Sequence, residues 1–389
     1  MPFYHRLGEV PAKRHVVVPR TGGGYRFEHL MGNLGFKGPQ SLLYTLRRPT
    51  TVTSIETAWH TPREAEADSS LRMRHLHSQQ LETGPSAVKD RVLMLFNDDL
   101  GISVARPATA DSFFYRNARA DEIVYVTVGE GVLESQFGNL RYRSGDYLVI
   151  PRGIIHRLVP DAGSEQVHLV VESRSYVRTP RRYRGDHGQL LEHSPFCERD
   201  IRVPTELVVH DETGEFEIMT RVDEVVQRVV MSHHPFDTVG WDGCYYPWAF
   251  SIHDFEPIVG RVHQPPPVHQ TFEADSFVIC SFVPRLYDFH PEAVPAPYNH
   301  SNVMTDEVLY YCNDEFMSRS GIEFGSVTLH PDGLPHGPQP GRMEASIGQE
   351  RTDELAVMID TFAPLRVARA ALDCEDREYG NSWLGDDPR

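Results

Sequence analysis

Apolar and polar positions alternate over short stretches of this chain rather than recurring every three or four residues. Segments 122–128 (EIVYVTV), 131–137 (GVLESQF), 146–150 (DYLVI), 167–171 (VHLVV), 276–282 (SFVICSF) and 307–311 (EVLYY) are rich in β-branched and aromatic residues. Gly, Pro or Asp turns separate them, which is the signature of strands. The pattern predicts an all-β protein. Its best short helical candidates are 62–82 and 367–372, and nothing recurs at a solenoid period.

A longer internal duplication is nevertheless visible. An acidic residue opens a strand, and a turn ending in histidine follows about 30 residues later. The first copy runs Asn117, Arg119, Glu122, Gly129, then Pro151, Gly153 and His156; the second runs His300, Asn302, Glu307, then Leu334, Pro335 and His336. This is the arrangement of a bicupin, two small antiparallel barrels that each present ligands from one strand pair and a later strand. The expected division is an N-terminal β domain over 1–245, holding a degenerate cupin at about 100–180, and a C-terminal catalytic cupin over 246–389. Residues 197–234, of mixed charge and no evident chemistry, are expected between the barrels. The proline-rich 291–297 (PEAVPAP) is an extended lead-in to the second copy.

Charge narrows the partners. The 389 residues carry 38 Lys+Arg against 55 Asp+Glu, a net charge of −17, which repels nucleic acid and anionic membranes. No run approaches the roughly 20 apolar residues of a membrane span, and the N-terminus has no apolar stretch after its basic residues. Cys197, Cys244, Cys280, Cys312 and Cys374 lie at least 32 residues apart, so no CxxC pair exists and reduced thiols are expected. The simplest location is the cytoplasm. Twenty histidines direct the search toward metal or acid–base chemistry.

His300, Glu307 and His336 are the strongest constellation. Two imidazoles and a carboxylate on neighbouring strands occupy one face of an octahedral Fe(II) and leave the opposite face for substrate and dioxygen; zinc suits the same donors. His300 and Glu307 are seven apart, an odd number, so a turn within 301–306 (SNVMTD) has to bring them to one side. Asp306 is the rival carboxylate. In the first copy Asn117 and Arg119 stand where imidazoles are needed, and a fixed cation opposes a bound dication, so that barrel reads as structural. His263 opens 263–269 (HQPPPVH), rigidly presented as a general base or simply solvated. Arg319 and Arg285 suit a substrate carboxylate or a surface ion pair. His330 suits a contact behind the site or a structural role, and the aromatic 240–248 (GWDGCYYPW) suits a pocket wall or plain core.

At these residues the chain resembles the homogentisate 1,2-dioxygenase family, and it does so through most of its length. Segments 27–36 (FEHLMGNLGF) and 41–46 (SLLYTL) are similar to the family's opening, and 238–243 (TVGWDG) to its VGW-x-G signature. Segment 297–302 (PYNHSN) followed by Glu307 resembles PYYHRN…E, and 335–338 (PHGP) resembles TPHGP. The resemblance implies Fe(II) on His300, Glu307 and His336, an acid–base role for His263, and Arg319 near the substrate carboxylate. Tyr298, His330, His336 and Phe316 would complete the substrate position. It further implies a homo-trimer or hexamer that takes a small aromatic substrate and O2, and converts homogentisate to maleylacetoacetate in tyrosine and phenylalanine catabolism. Two departures stand out. One extra residue precedes the carboxylate, leaving Asp306 at the literal alignment position while Glu307 keeps the cupin spacing, and Phe316 replaces a substrate-contacting tyrosine. A related 2,5-dihydroxy aromatic such as gentisate therefore stays open, as does a metal-binding cupin without oxygen chemistry, an isomerase or a small-molecule binding protein.

Overall fold

A computed structural model describes residues 2–384. The alternating segments form strands, and the fold is all-β, with two cupin-type units. An eight-stranded antiparallel sheet has at its centre Asp121–Val128, flanked by Asp146–Ile150 and Val167–Ser173. These strands are buried on both faces because the sheet is covered on both sides. On one side lies a seven-stranded sheet that includes Gly131–Ser135, His156–Pro160 and Phe114–Asn117. On the other lies a six-stranded sheet in which Asp306–Tyr311 is central, between Ala356–Thr361 and Ser326–His330. Two hydroxyl bonds join the central sheets, a buried one from Tyr147 to Ser281 and a partly buried one between Thr127 and Tyr310, each 2.9 Å. Polar side chains inside an apolar interface need such partners.

Several expectations change. The segment 62–82 contains strand Arg74–His77 and the 3-10 turn Ser78–Gln80 in place of a helix. The Asp68 carboxylate accepts from the backbone N–H of Ser70 at 2.9 Å, and such local capping competes with helix formation. Segment 367–372 supplies the end of strand Arg366–Val367 and most of the 3-10 helix Arg369–Cys374. Residues 197–234 do not sit between the barrels. Their hairpin Thr213–Val222 and Val225–His233, turned at Asp223 with φ 55°, belongs to the seven-stranded sheet.

The sheets also do not part at 245/246. Trp248–Ser251 pairs with Asp146–Ile150, Arg74–His77 reaches forward to pair with Ser326–His330, and Arg366–Val367 reaches back to Val92–Phe96. The aromatic stretch 240–248 is core: Trp241, Tyr246 and Trp248 are buried, and Trp241 donates its indole N–H to the Phe137 carbonyl at 2.8 Å. All five cysteines are free. No helix among the described residues is long and apolar enough to cross a membrane.

Candidate metal centre

Strands His300–Ser301 and Pro335–His336 pair with His300 opposite His336, so the two imidazoles stand side by side, ring centroids 4.2 Å apart. Gly337 permits this turn, since a Cβ there would lie 2.8 Å from the Asn299 Cα. Bends at 303 and 304 separate His300 from strand Asp306–Tyr311 and reverse the facing that an odd spacing would otherwise impose. Glu307 then faces both histidines: its carboxylate lies 3.8 Å from His300 Nε2 and 3.6 Å from His336 Nε2. One donor atom from each of the three residues lies within 4.8 Å of the others. Asp306 points elsewhere, its two oxygens accepting the backbone N–H groups of Asp332 at 2.8 Å and Leu365 at 2.7 Å.

The donor set fits a divalent ion. His336 Nε2 is buried without a hydrogen-bond partner, which costs about 1–3 kcal/mol unless something occupies it. In both imidazoles Nδ1 faces a backbone carbonyl, Leu334 at 3.4 Å and Tyr298 at 3.3 Å, leaving Nε2 as the donor toward Glu307. Burial alone would raise the Glu307 carboxyl, but the imidazoles of His300, His330 and His336 hold it well below the ordinary range. It is therefore a carboxylate. Asp360, opposite Glu307 in the ladder, behaves oppositely: burial, then the charge of Glu307, push its carboxyl up to about 8.

Behind the triad lies a second rank of side chains. His330 Nδ1 is 2.7 Å from Glu307 Oε1, and its Nε2 is 3.2 Å from the Tyr379 hydroxyl. Burial, reinforced by Arg319, lowers the His330 pKa to about 4, so the ring is neutral: Nδ1–H donates to the carboxylate and Nε2 accepts from Tyr379. His330, expected at the substrate position, is fully buried behind Glu307 and does not line the cavity. Arg319 is buried, donates to the Gly337 carbonyl at 2.8 Å, and lies over the Trp383 ring at 5.4 Å. Its Nε has no partner. Tyr379 and Trp383 come from the C-terminal 3-10 segment, where no periodicity marks them in the sequence.

The triad opens onto a cavity of about 120 Å³. Its apolar wall is made by Phe282, Leu309, Phe316 and Met358, and Arg319 borders it. Phe316 packs edge-on against Tyr311 at 4.9 Å. His263 lines the mouth, its side chain 47% exposed and Nδ1 3.6 Å from Asp288. The exposed Tyr298 packs against the His263 ring at 5.2 Å and is the bridge between His263 and His300. Arg285 forms neither a surface pair nor a free fork. It is held at 2.7 Å by the buried Glu354. His269 also lines the cavity; burial, then Arg285, lower it to about 3, which makes it a neutral wall residue.

In the first barrel the corresponding position is filled by protein. Arg91 makes a two-pronged bond to Glu122 at 3.1 and 3.0 Å, and Tyr115 donates to the same carboxylate at 2.7 Å. Asn117 donates to Glu122 at 3.2 Å and to Glu172 at 3.1 Å. The cations at this position are Arg91 on Glu122 and Arg221 on Glu172; the expected Arg119 is exposed.

The family model described as homogentisate 1,2-dioxygenase N-terminal matches residues 100–252. A Saccharolobus solfataricus protein named "Putative dioxygenase SSO1533" is 41% identical over 387 residues, covering 98% of this chain and 99% of its own. The chain belongs to the homogentisate 1,2-dioxygenase family. At that level it is a dioxygenase with a small-molecule pocket. The homogentisate 1,2-dioxygenase of Nitrobacter hamburgensis is 25% identical over 71% of this chain, and the match spans 63% of that enzyme's length. Among solved structures, a cupin-2 domain protein from Shewanella frigidimarina aligns with 22% of this chain and 81% of its own at 21% identity, TM-score 0.20.

Proposed function

We propose that this protein is an Fe(II)-dependent dioxygenase that opens the ring of homogentisate to give maleylacetoacetate, with His300, Glu307 and His336 holding the iron. The observation that carries this reading is the pair of inward-facing Nε2 atoms around a buried carboxylate, one of them without a partner, at the end of a ring-sized cavity. Iron held by His300, Glu307 and His336 would supply the oxygen chemistry. The chain supplies the rest.

The cavity is comparable to engineered apolar cavities of about 150 Å³ that admit benzene, so one aromatic ring is the right size. Phe282, Phe316 and Leu309 exclude water from it. Arg319, with its unpartnered Nε, receives the acetate carboxylate. His263 at the mouth takes the proton of the ring hydroxyl nearest that acetate, and Asp288 stabilises the imidazolium that results. Coupling to tyrosine and phenylalanine catabolism, and assembly as trimers or hexamers, belong to the same proposal.

Phe316 favours a second reading, in which the substrate is a related 2,5-dihydroxy aromatic such as gentisate. A phenyl wall offers no hydrogen bond to a substrate hydroxyl, so the pocket discriminates among such rings mainly by shape. The deciding experiment is oxygen uptake by protein reconstituted anaerobically with Fe(II), on adding homogentisate or gentisate. Stoichiometric uptake with homogentisate alone supports the first reading. Uptake with gentisate alone supports the second, and no uptake from iron-loaded protein with either rejects both substrates.

A further inference from the structure

A second cluster of metal-donor side chains lies outside the triad and its cavity. His75 and His77 are two apart on strand Arg74–His77, so both project from one face of it. Their rings approach to 4.2 Å. Asp376, from the C-terminal segment that pairs with this strand through Leu76 and Glu375, brings a carboxylate to the same face. One donor atom of each of the three lies within 4.8 Å of the others, the same closeness that defines His300, Glu307 and His336. We propose that His75, His77 and Asp376 form a second divalent-cation site, of the zinc class, that pins the N-terminal strand to the C-terminal segment.

The hydrogen bonding around the cluster is what such a site requires. His75 Nε2 bonds the Ser326 hydroxyl at 2.8 Å, which leaves Nδ1 directed at Asp376 Oδ2, 3.7 Å away. That is too long for a hydrogen bond. It is close to the spacing of about 3.4 Å between two ligands of one tetrahedral ion at zinc–nitrogen and zinc–oxygen distances of about 2.0–2.1 Å. His77 Nδ1 is held at 2.7 Å by Glu323, whose carboxylate also accepts from Gln79, so this imidazole is oriented by a carboxylate or shares the ion with it. The neighbouring cation Arg74 projects from the other face, paired with Glu375 at 2.7 Å and Glu66 at 2.6 Å, and does not oppose a dication. Two imidazoles and one or two carboxylates are the donors zinc accepts. The His75 ring packs against Tyr379 at 5.2 Å, so an ion here also steadies the segment that supplies Tyr379 to His330.

The test uses the full chain, stripped of metal and titrated anaerobically with Zn²⁺ and with Co²⁺. Wild type should take two equivalents per chain. The variant E307Q/H336A should retain one, and its Co²⁺ form should carry the intense visible absorption of a tetrahedral site. D376N and H77Q, at partly exposed positions, should each lose that second equivalent while their thermal melts without metal match wild type. A single equivalent in wild type, or a second one undiminished in both D376N and H77Q, would overturn the proposal. This readout is independent of oxygen uptake, so the substrate reading can fail without affecting it.

Discussion

His330 and Glu307 face each other across two paired strands, with Nδ1 of one 2.7 Å from Oε1 of the other. The neutral ring donates that hydrogen bond, and Tyr379 fixes the ring from behind. Glu307 therefore has one oxygen engaged and its carboxylate plane set before any ion arrives. Losing such an outer partner lowers metal affinity by about 10- to 100-fold. H330Q should show that loss in an anaerobic Fe²⁺ competition with a chelator, at unchanged stoichiometry. An affinity equal to wild type would mean the bond does not orient the carboxylate.

The adjacent carboxylates should separate cleanly. E307Q removes a charge faced by three imidazoles and should abolish stoichiometric iron binding. D306N should keep its iron but lose stability, because the new amide places an N–H donor where the carboxylate now accepts from Asp332 or Leu365. A loss of about 1–3 kcal/mol is expected in chemical denaturation. Iron content and denaturation midpoint, measured on both variants, decide the assignment; iron loss in D306N with retention in E307Q would reverse it.

His263 lines the cavity with its side chain half-exposed, whereas His336 is buried within the triad. H263A should bind iron as wild type does and lose about 10²- to 10⁴-fold in turnover, the range for a general base. H336A should lose both iron and turnover. Equal iron loss in the two variants would collapse the division of labour.

The triad was legible because the chemistry sits in compact sequence words, a histidine near an acidic strand opening and a histidine after a proline turn, and because the intervening turn could be inferred from an odd spacing. The side chains behind it were not. Tyr379 and Trp383 reach His330 and Arg319 from 49 and 64 residues away in a 3-10 segment with no periodicity to read. The same limit applies to Arg74–His77, whose four residues join a sheet formed more than 190 positions later, since strand partners at such range leave no local trace. Arg91 illustrates the error this produces. Arg119 is the cation that the sequence places beside the missing imidazoles, but the guanidinium on Glu122 is that of Arg91, which only the fold brings in.

That substitution of a guanidinium for a metal has a consequence for acid stability. Burial alone would raise the Glu122 carboxyl, but Arg91 holds it down at about 2, below the value of about 4.3 for an unfolded chain. A depressed folded-state pKa stabilises above the unfolded value, and the stabilisation is lost as pH falls from about 4.3 toward 2. R91M leaves Glu122 buried without that cation, while Glu172 keeps Arg221 at 2.8 Å. Breaking one partner of a buried pair costs about 3–5 kcal/mol. The variant can relieve that cost by protonating Glu122, which becomes easier as pH falls. The deficit of R91M against wild type in urea denaturation should accordingly be largest near pH 7 and shrink steadily toward pH 4. A deficit independent of pH would mean that lost packing around Tyr115, whose ring lies 5.5 Å from the guanidinium, outweighs the buried charge.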